Sequence, residues 1–260
     1  MKNIIALLMA IFVMLSCSDV RANSLNYYQN LLMTKKFYLT YEEVTPQPRQ
    51  TNRDRVSLNG TNFMKTGAAD FLINQQTDVI VVENGNNRYE EVSSEHGAMC
   101  RLQTGQKVYN FTKRMSGGKV TYYGKKKGEV EELPYNRLAE VEYGRSYGTE
   151  NMSVVLNALF PSHLRAAKSL RFYEVGSGKD KKGLNYIDYR ADYGSDMYVI
   201  RYYFEGSKMV KIFSAKYYTT PEGKFDGIRH IFKIKAFTHE LKPNYLRLPA
   251  DLKIVVPKRG

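Results

Sequence analysis

Apolar and polar residues alternate with a period of two along most of this chain, and short turn signals interrupt the alternation. FYLTYEEV (37–44), DVIVVE (78–83), RYEEVS (88–93), AMCRLQ (98–103), KVYNFTKR (107–114) and KVTYYGKK (119–126) read as consecutive strands. Their turns carry the expected residues: Asn84–Asn87 with a central glycine, Thr104-Gly105-Gln106, and Ser116-Gly117-Gly118. A further hairpin is expected at 55–65, where Asn59-Gly60 suits a primed two-residue turn. Two segments change to helical spacing. After Asn23 or Ser24 as a cap, Leu25, Tyr28, Leu31 and Leu32 repeat along one stripe, with Lys35 and Lys36 at the negative end. After Thr149, residues Met152, Val155, Leu156 and Leu159 form a second stripe that Pro161 ends. Between 129 and 148 the pattern is mixed and polar. Strands then resume at 170–175, 184–191, 197–205, 208–218 and 229–241, with Gly176–Gly178, Gly194-Ser195 and Gly206-Ser207 as turns. LRLPADLKIVV (246–256) reads as a proline-bounded bend and a closing strand.

The hairpin at 197–218 departs from a half-wet pattern. Tyr198, Ile200, Tyr202 and Phe204 fall on one face of its first strand. Met197, Val199 and Tyr203 fall on the other, with only Arg201 between them. Both faces therefore need cover, although antiparallel hairpins commonly leave one to water.

No fixed-period repeat and no long linker divides the chain, so one domain is expected over 23–256, with 257–260 as a tail. The fold class is mainly β (α+β), an antiparallel sheet of about ten strands with one helix before it and another midway. A sheet of that length must curl. The 260 residues include 21 Tyr and 12 Phe but no Trp, which agrees with a strand-rich chain.

Two features bear on compartment. MKN followed by the apolar run Ile4–Leu15 has the form of a signal peptide, too short to span a bilayer comfortably. Val20-Arg21-Ala22 fits ordinary cleavage, so 1–22 would be removed. Alternatively, Met14-Leu15-Ser16-Cys17 resembles a bacterial lipobox, with Cys17 lipidated. Either exit implies export and leaves Cys100 without an intrachain partner; a small buried hydrophobe is its ordinary role. The formal net charge is +13. Such an excess attracts polyanions. Export turns this away from nucleic acid and toward an anionic membrane surface or cell-surface polymer. The lysines are nonetheless dispersed; only Lys125, Lys126 and Lys127 cluster, at an expected hairpin tip.

Candidate chemistry is sparse. His96, His163, His230 and His239 show no metal-ligand spacing, and His230 and His239 read as strand residues on a polar face. Glu90-Glu91 and Glu131-Glu132 are strand neighbours, which point to opposite faces and read as solvent contacts. Asp188, Asp192 and Asp196 could converge around a turn, though turn support is their commoner use. No catalytic set, metal site or cofactor motif emerges, and the chain is read as non-enzymatic.

The order of parts carries a resemblance. A short helix (LNYYQNLL) runs into a strand (FYLTYEEV). The sheet contains RLQTGQKVYNFTKR, a helix interrupts, and KMVKIFSAKYY, FKIKAFTHEL and LRLPADLKIVV close the chain. This resembles the periplasmic lipoprotein-carrier superfamily, the LolA/LolB-like outer-membrane lipoprotein-sorting proteins, over about 23–256. The resemblance implies an incompletely closed antiparallel half-barrel with helices over its concave side, which takes lipid or lipoprotein acyl chains. One face of 197–218 would then pack under a helix and the other would line the groove. Tyr198, Ile200, Tyr202, Phe204, Val210 and Ile212 are the candidate lining residues, although the two strand faces are equivalent in sequence. The alternative on the same scaffold is a filled core and a polyanion- or protein-binding surface.

Overall fold

The computed structural model describes residues 25–44, 77–94, 97–135, 171–219 and 225–256. The expected signal segment with Cys17, the hairpin at 55–65, the helix after Thr149, His96, His163 and the tail lie outside the described residues.

The fold is mainly β. After a helix α1 at 25–34 come β1 (Lys36–Val44), β2 (Thr77–Asn84), β3 (Asn87–Ser94), β4 (Gly97–Thr104), β5 (Lys107–Ser116) and β6 (Lys119–Tyr123). Short β7 (Glu129–Glu131) and β8 (Leu133–Pro134) follow, then β9 (Tyr173–Lys179), β10 (Asn185–Tyr193), β11 (Asp196–Glu205), β12 (Lys208–Thr219), β13 (Phe225–Thr238) and β14 (Lys253–Val255). The main sheet is antiparallel, in the order β6-β5-β4-β3-β2-β1-β13-β12-β11-β10-β9, with β8 also paired to β5. Its two end strands do not meet, so the sheet is open. Two meanders are thus joined through β1 and β13. With β8 the sheet has twelve strands where about ten were expected; β7 and β8 both arise in the stretch that looked patternless, but β7 lies outside this sheet. Among the described residues α1 is the only α-helix.

Two expectations about the later strands change. Gly176–Gly178 is not a turn but part of β9, with Gly178 directly opposite Tyr186. A Cβ on Gly178 would lie 2.8 Å from the Tyr186 hydroxyl oxygen, so the ring covers the glycine backbone. The tyrosine supplies the side-chain packing that glycine lacks. The closing strand β14 also leaves the main sheet; it pairs in parallel with β7.

The sheet has a core on each face. On one face, Leu25, Tyr28, Leu31 and Leu32 of α1 join residues from β1, β2 and β10–β13. On the other, Tyr38, Val82, Tyr89, Cys100, Leu102, Tyr109 and Phe111 are covered by Leu241, Tyr245, Leu246, Leu248 and Leu252 of the C-terminal segment, with Val130 of β7. Tyr245 sits in a single 3-10 turn, Pro243–Leu246, with its ring 5.2 Å from that of Tyr89 and 6.2 Å from that of Tyr38. β1 and β2 feed both cores, which explains the unbroken VIVV of β2.

The α1 terminus is tied to the sheet. Lys35 takes a positive φ of 49°, and its carbonyl accepts the Gly85 N–H at 2.8 Å in the β2–β3 turn. At the sheet's far side a β-bulge between Tyr203 and Phe204 places Phe204 opposite Met209. The Met209 N–H donates to Tyr28 Oη at 2.8 Å. Tyr28→Phe removes that acceptor from a buried amide. The expected loss is about 1–2 kcal/mol of unfolding free energy by urea titration, with no change of fold.

Candidate functional site

The face under α1 changes character along its strands. Tyr28 lies 6.4 Å from Phe204 and 4.9 Å from Phe237, ring to ring, which puts the helix over that end. From there, same-face residues on β11 run Phe204, Tyr202, Ile200, Tyr198, Asp196. On β12 they run Met209, Ile212, Ser214, Lys216, and on β1 Phe37, Leu39, Tyr41, Glu43. On β13 they run Phe237, Ile234, Phe232, His230. Each series begins apolar and ends polar. A helix of this length reaches about 15 Å, whereas the 10 residues of β11 reach roughly 33 Å. The helix therefore does not cover the whole strand, whose apolar stretch from Phe204 to Ile200 is about as long as the helix itself and gives way to a polar rim.

The rim is made of paired charges. Lys216 Nζ lies 2.8 Å from Asp196 Oδ2, and its ammonium is 5.5 Å from the centre of the Tyr198 ring. The hydrogen bond to Asp196 is the main cause that raises the Lys216 pKa, against desolvation. His230 Nδ1 lies 2.9 Å from Glu43 Oε1, and its ring stacks on Phe232 at 6.1 Å. His230 thus stands on the α1 face and not on a polar outer face. Period-two counting from Phe232 would have found this. His239 is exposed, with its Nδ1 3.4 Å from the Tyr27 hydroxyl.

Five of the six candidate lining residues share this face. Ile200, Tyr202, Phe204 and Ile212 are each 1% exposed or less, and Tyr198 packs half-buried against the cluster. Val210 is displaced. The bulge leaves it without a ladder partner, and Met209 takes the core position beside Ile212. Sequence parity put Val210 there; a bulge shifts parity by one and leaves no mark in KMVKIF beyond two adjacent apolar residues. Tyr28, Phe232 and Phe237 complete the face, and simple alternation within one hairpin could not assign them.

Among the described residues no helix covers the opposite face of β11. Met197, Val199, Arg201 and Tyr203 are half-buried there. Arg201 donates from Nη2 to Asp188 Oδ2 at 2.7 Å and sits 3.9 Å from the centre of the Tyr186 ring. Lys211 Nζ lies 3.6 Å from the centre of the Tyr203 ring. Long cationic side chains laid over aromatic rings cover this face. The hydrogen bond to Asp188 leads the causes that hold the Arg201 guanidinium above its usual pKa.

The sequence's other candidates separate. Asp188 pairs with Arg201, Asp192 with Arg190, and Asp196 with Lys216. Among the described residues no three metal-ligating side chains converge. Lys125 and Lys126 lean on Glu131 and Glu129. Glu90 and Glu91 do point to opposite faces, but both are buried and neither is a solvent contact. Glu90 accepts from Arg88 Nε at 3.1 Å. Glu91 accepts from the Tyr89 hydroxyl at 2.6 Å, from Ser93 Oγ at 3.1 Å and from Lys113 Nζ at 3.2 Å. Cys100 lies directly across from Glu91, 1% exposed. Burial pushes its thiol up to about 12, with a hydrogen bond shared with Tyr89 acting against this and the nearby Glu91 carboxylate adding to it. A thiol so held is unreactive at neutral pH.

No known family model matches the sequence, and no curated protein matches it.

Proposed function

We propose that this chain is an exported, non-enzymatic carrier or binder of lipid or of lipoprotein acyl chains, a relative of the LolA/LolB-like sorting proteins acting in the periplasm or cell envelope. In this reading the open sheet is a curled half-barrel and α1 lies over part of its concave side. One observation carries the proposal: the face under α1 is apolar at the helix end and finishes in a polar rim of Tyr198, Lys216 and His230. Such a surface fits a ligand with an apolar tail and a polar head. Each CH₂ withdrawn from water contributes about 0.8 kcal/mol, so a short stretch of contact gives useful affinity. The excess of lysine along the chain suits an anionic membrane surface.

A second reading keeps the scaffold and removes the groove. It is favoured by the near-complete burial of Ile200, Tyr202, Phe204 and Ile212, the packing of a filled core. The surface would then bind a protein or a polyanion through its charge. The two readings separate in native and denaturing mass spectrometry of protein purified without detergent. A carrier is expected to hold a lipid that is released on denaturation and displaced by an added fatty acid. An empty protein that ignores the fatty acid ends the carrier reading and leaves the second.

A further inference from the structure

We propose that the Tyr41 hydroxyl is the polar contact for the carbonyl oxygen of an acyl ester bound on the α1 face, an inference that rests on the carrier reading. Tyr41 is 0% exposed, and its hydroxyl is the one buried side-chain polar atom without a hydrogen-bond partner among the described residues. The contrast with its neighbours is informative. Tyr28 Oη accepts from a backbone amide, Tyr89 donates to Glu91, and Tyr109 donates to Glu132 at 2.9 Å. Among the described residues the other fully buried side-chain hydroxyls are paired, as native proteins require. An orphan of this kind costs free energy in the empty protein. A residue whose ring alone was needed would be phenylalanine, as at Phe37 and Phe232 on the same face.

Position identifies the missing partner. On β1 the same-face series is Phe37, Leu39, Tyr41, Glu43, so the hydroxyl stands where the apolar stretch gives way to the rim. Its ring meets Phe232 edge-on at 5.6 Å, and the next same-face residue on β13 is His230, bonded to Glu43. In an acyl lipid lying with its tail toward α1, the first oxygen after the methylenes is the ester carbonyl. That oxygen comes at this boundary. The charges around Tyr41 decide between ligand classes. Glu43 and Glu90 act on it from one sign and Arg88 from the other. Glu43 already faces His230, and Glu90 already faces Arg88. A neutral acceptor suits this balanced setting better than a free carboxylate or phosphate would. Burial, reinforced by the two carboxylates, keeps the phenol protonated and therefore a donor.

Tyr41→Phe tests the assignment because it keeps the ring and removes only the oxygen. Binding of monopalmitoylglycerol and of hexadecane would be measured on both proteins by isothermal titration, with thermal unfolding of each empty protein. The expected result is about tenfold weaker binding of the ester by the variant, the equivalent of one hydrogen bond. Hexadecane binding should be unchanged, and the empty variant should unfold at the same temperature or higher. Equal ester affinity in the two proteins overturns the role of Tyr41 while leaving the carrier reading intact. Failure of the wild-type protein to bind either probe removes the carrier reading and this inference with it.

Discussion

Replacing Phe204 with alanine is expected to lower the unfolding free energy by about 3–5 kcal/mol, the usual cost of deleting a fully buried aromatic ring. Phe204 is 1% exposed and meets Tyr28 of α1 across the helix–sheet interface. It also stands beside the bulge whose amide Tyr28 accepts. The loss therefore combines withdrawn contacts, a cavity, and a loosened seat for α1. Domains are stable by only about 5–15 kcal/mol, so the variant should unfold at much lower urea. Val210→Ala is the matched control. Its side chain is half-buried at the bulge and outside the core cluster, and a change within roughly 0.5–1 kcal/mol is expected. Equal costs for the two substitutions would show that the bulge is misplaced and that Val210 faces the core.

Glu91→Ala should be the most damaging change on the other face, at about 3 kcal/mol. The carboxylate is buried and accepts from Tyr89, Ser93 and Lys113. Removing it leaves a buried phenol and an ammonium without their acceptor, which is the costly way to break such a cluster. The Lys113 side chain is 31% exposed, so water recovers part of the loss and the lower end of the usual range applies. The cluster also sets the response to alkali. Burial opposes charge on Lys113, but the Glu91 carboxylate and its hydrogen bond outweigh it and the pKa rises above 10.5. Burial first, then Cys100 and Glu91, raises Tyr89 above 10.0, and burial raises Cys100 from 9.0 to about 12. In each case the folded protein retains a proton that the unfolded chain has released. Stability from all three is complete below pH 9. It falls as pH rises, first through Cys100, then through Tyr89 and Lys113. Urea midpoints from pH 8 to 11 should fall with pH in the wild type. The slope contributed by Lys113 should be missing in Glu91→Ala. A flat profile in the wild type would refute the cluster as described.

Local pattern was enough for much of the architecture. Leu25, Tyr28, Leu31 and Leu32 announced α1 at helical spacing, and turn residues such as Asn84–Asn87 and Gly105 marked the hairpins within a residue or two. These signals are local, because side-chain period and backbone preference act over a few residues. Errors arose where a distant partner overrode them. Gly176–Gly178 looks like a turn until Tyr186 covers the glycine from the next strand. β14 looks like a last sheet strand until β7, far earlier in the chain, offers a parallel partner. Glu91 looks solvated because nothing in RYEEVS reveals that Tyr245 and Leu246 will close over that face.

The candidate site divides the same way. The alternation of 197–205 established by itself that Tyr198, Ile200, Tyr202 and Phe204 share a face, since the strand period is two. Which face received α1, that Met209 and not Val210 sits beside Ile212, that His230 joins the rim, and that the Tyr41 hydroxyl is left without a partner were decided only by tertiary structure. Period-two patterning defines two faces but does not distinguish them. Cover, bulges and ion pairs make that distinction, and they come from residues remote in sequence.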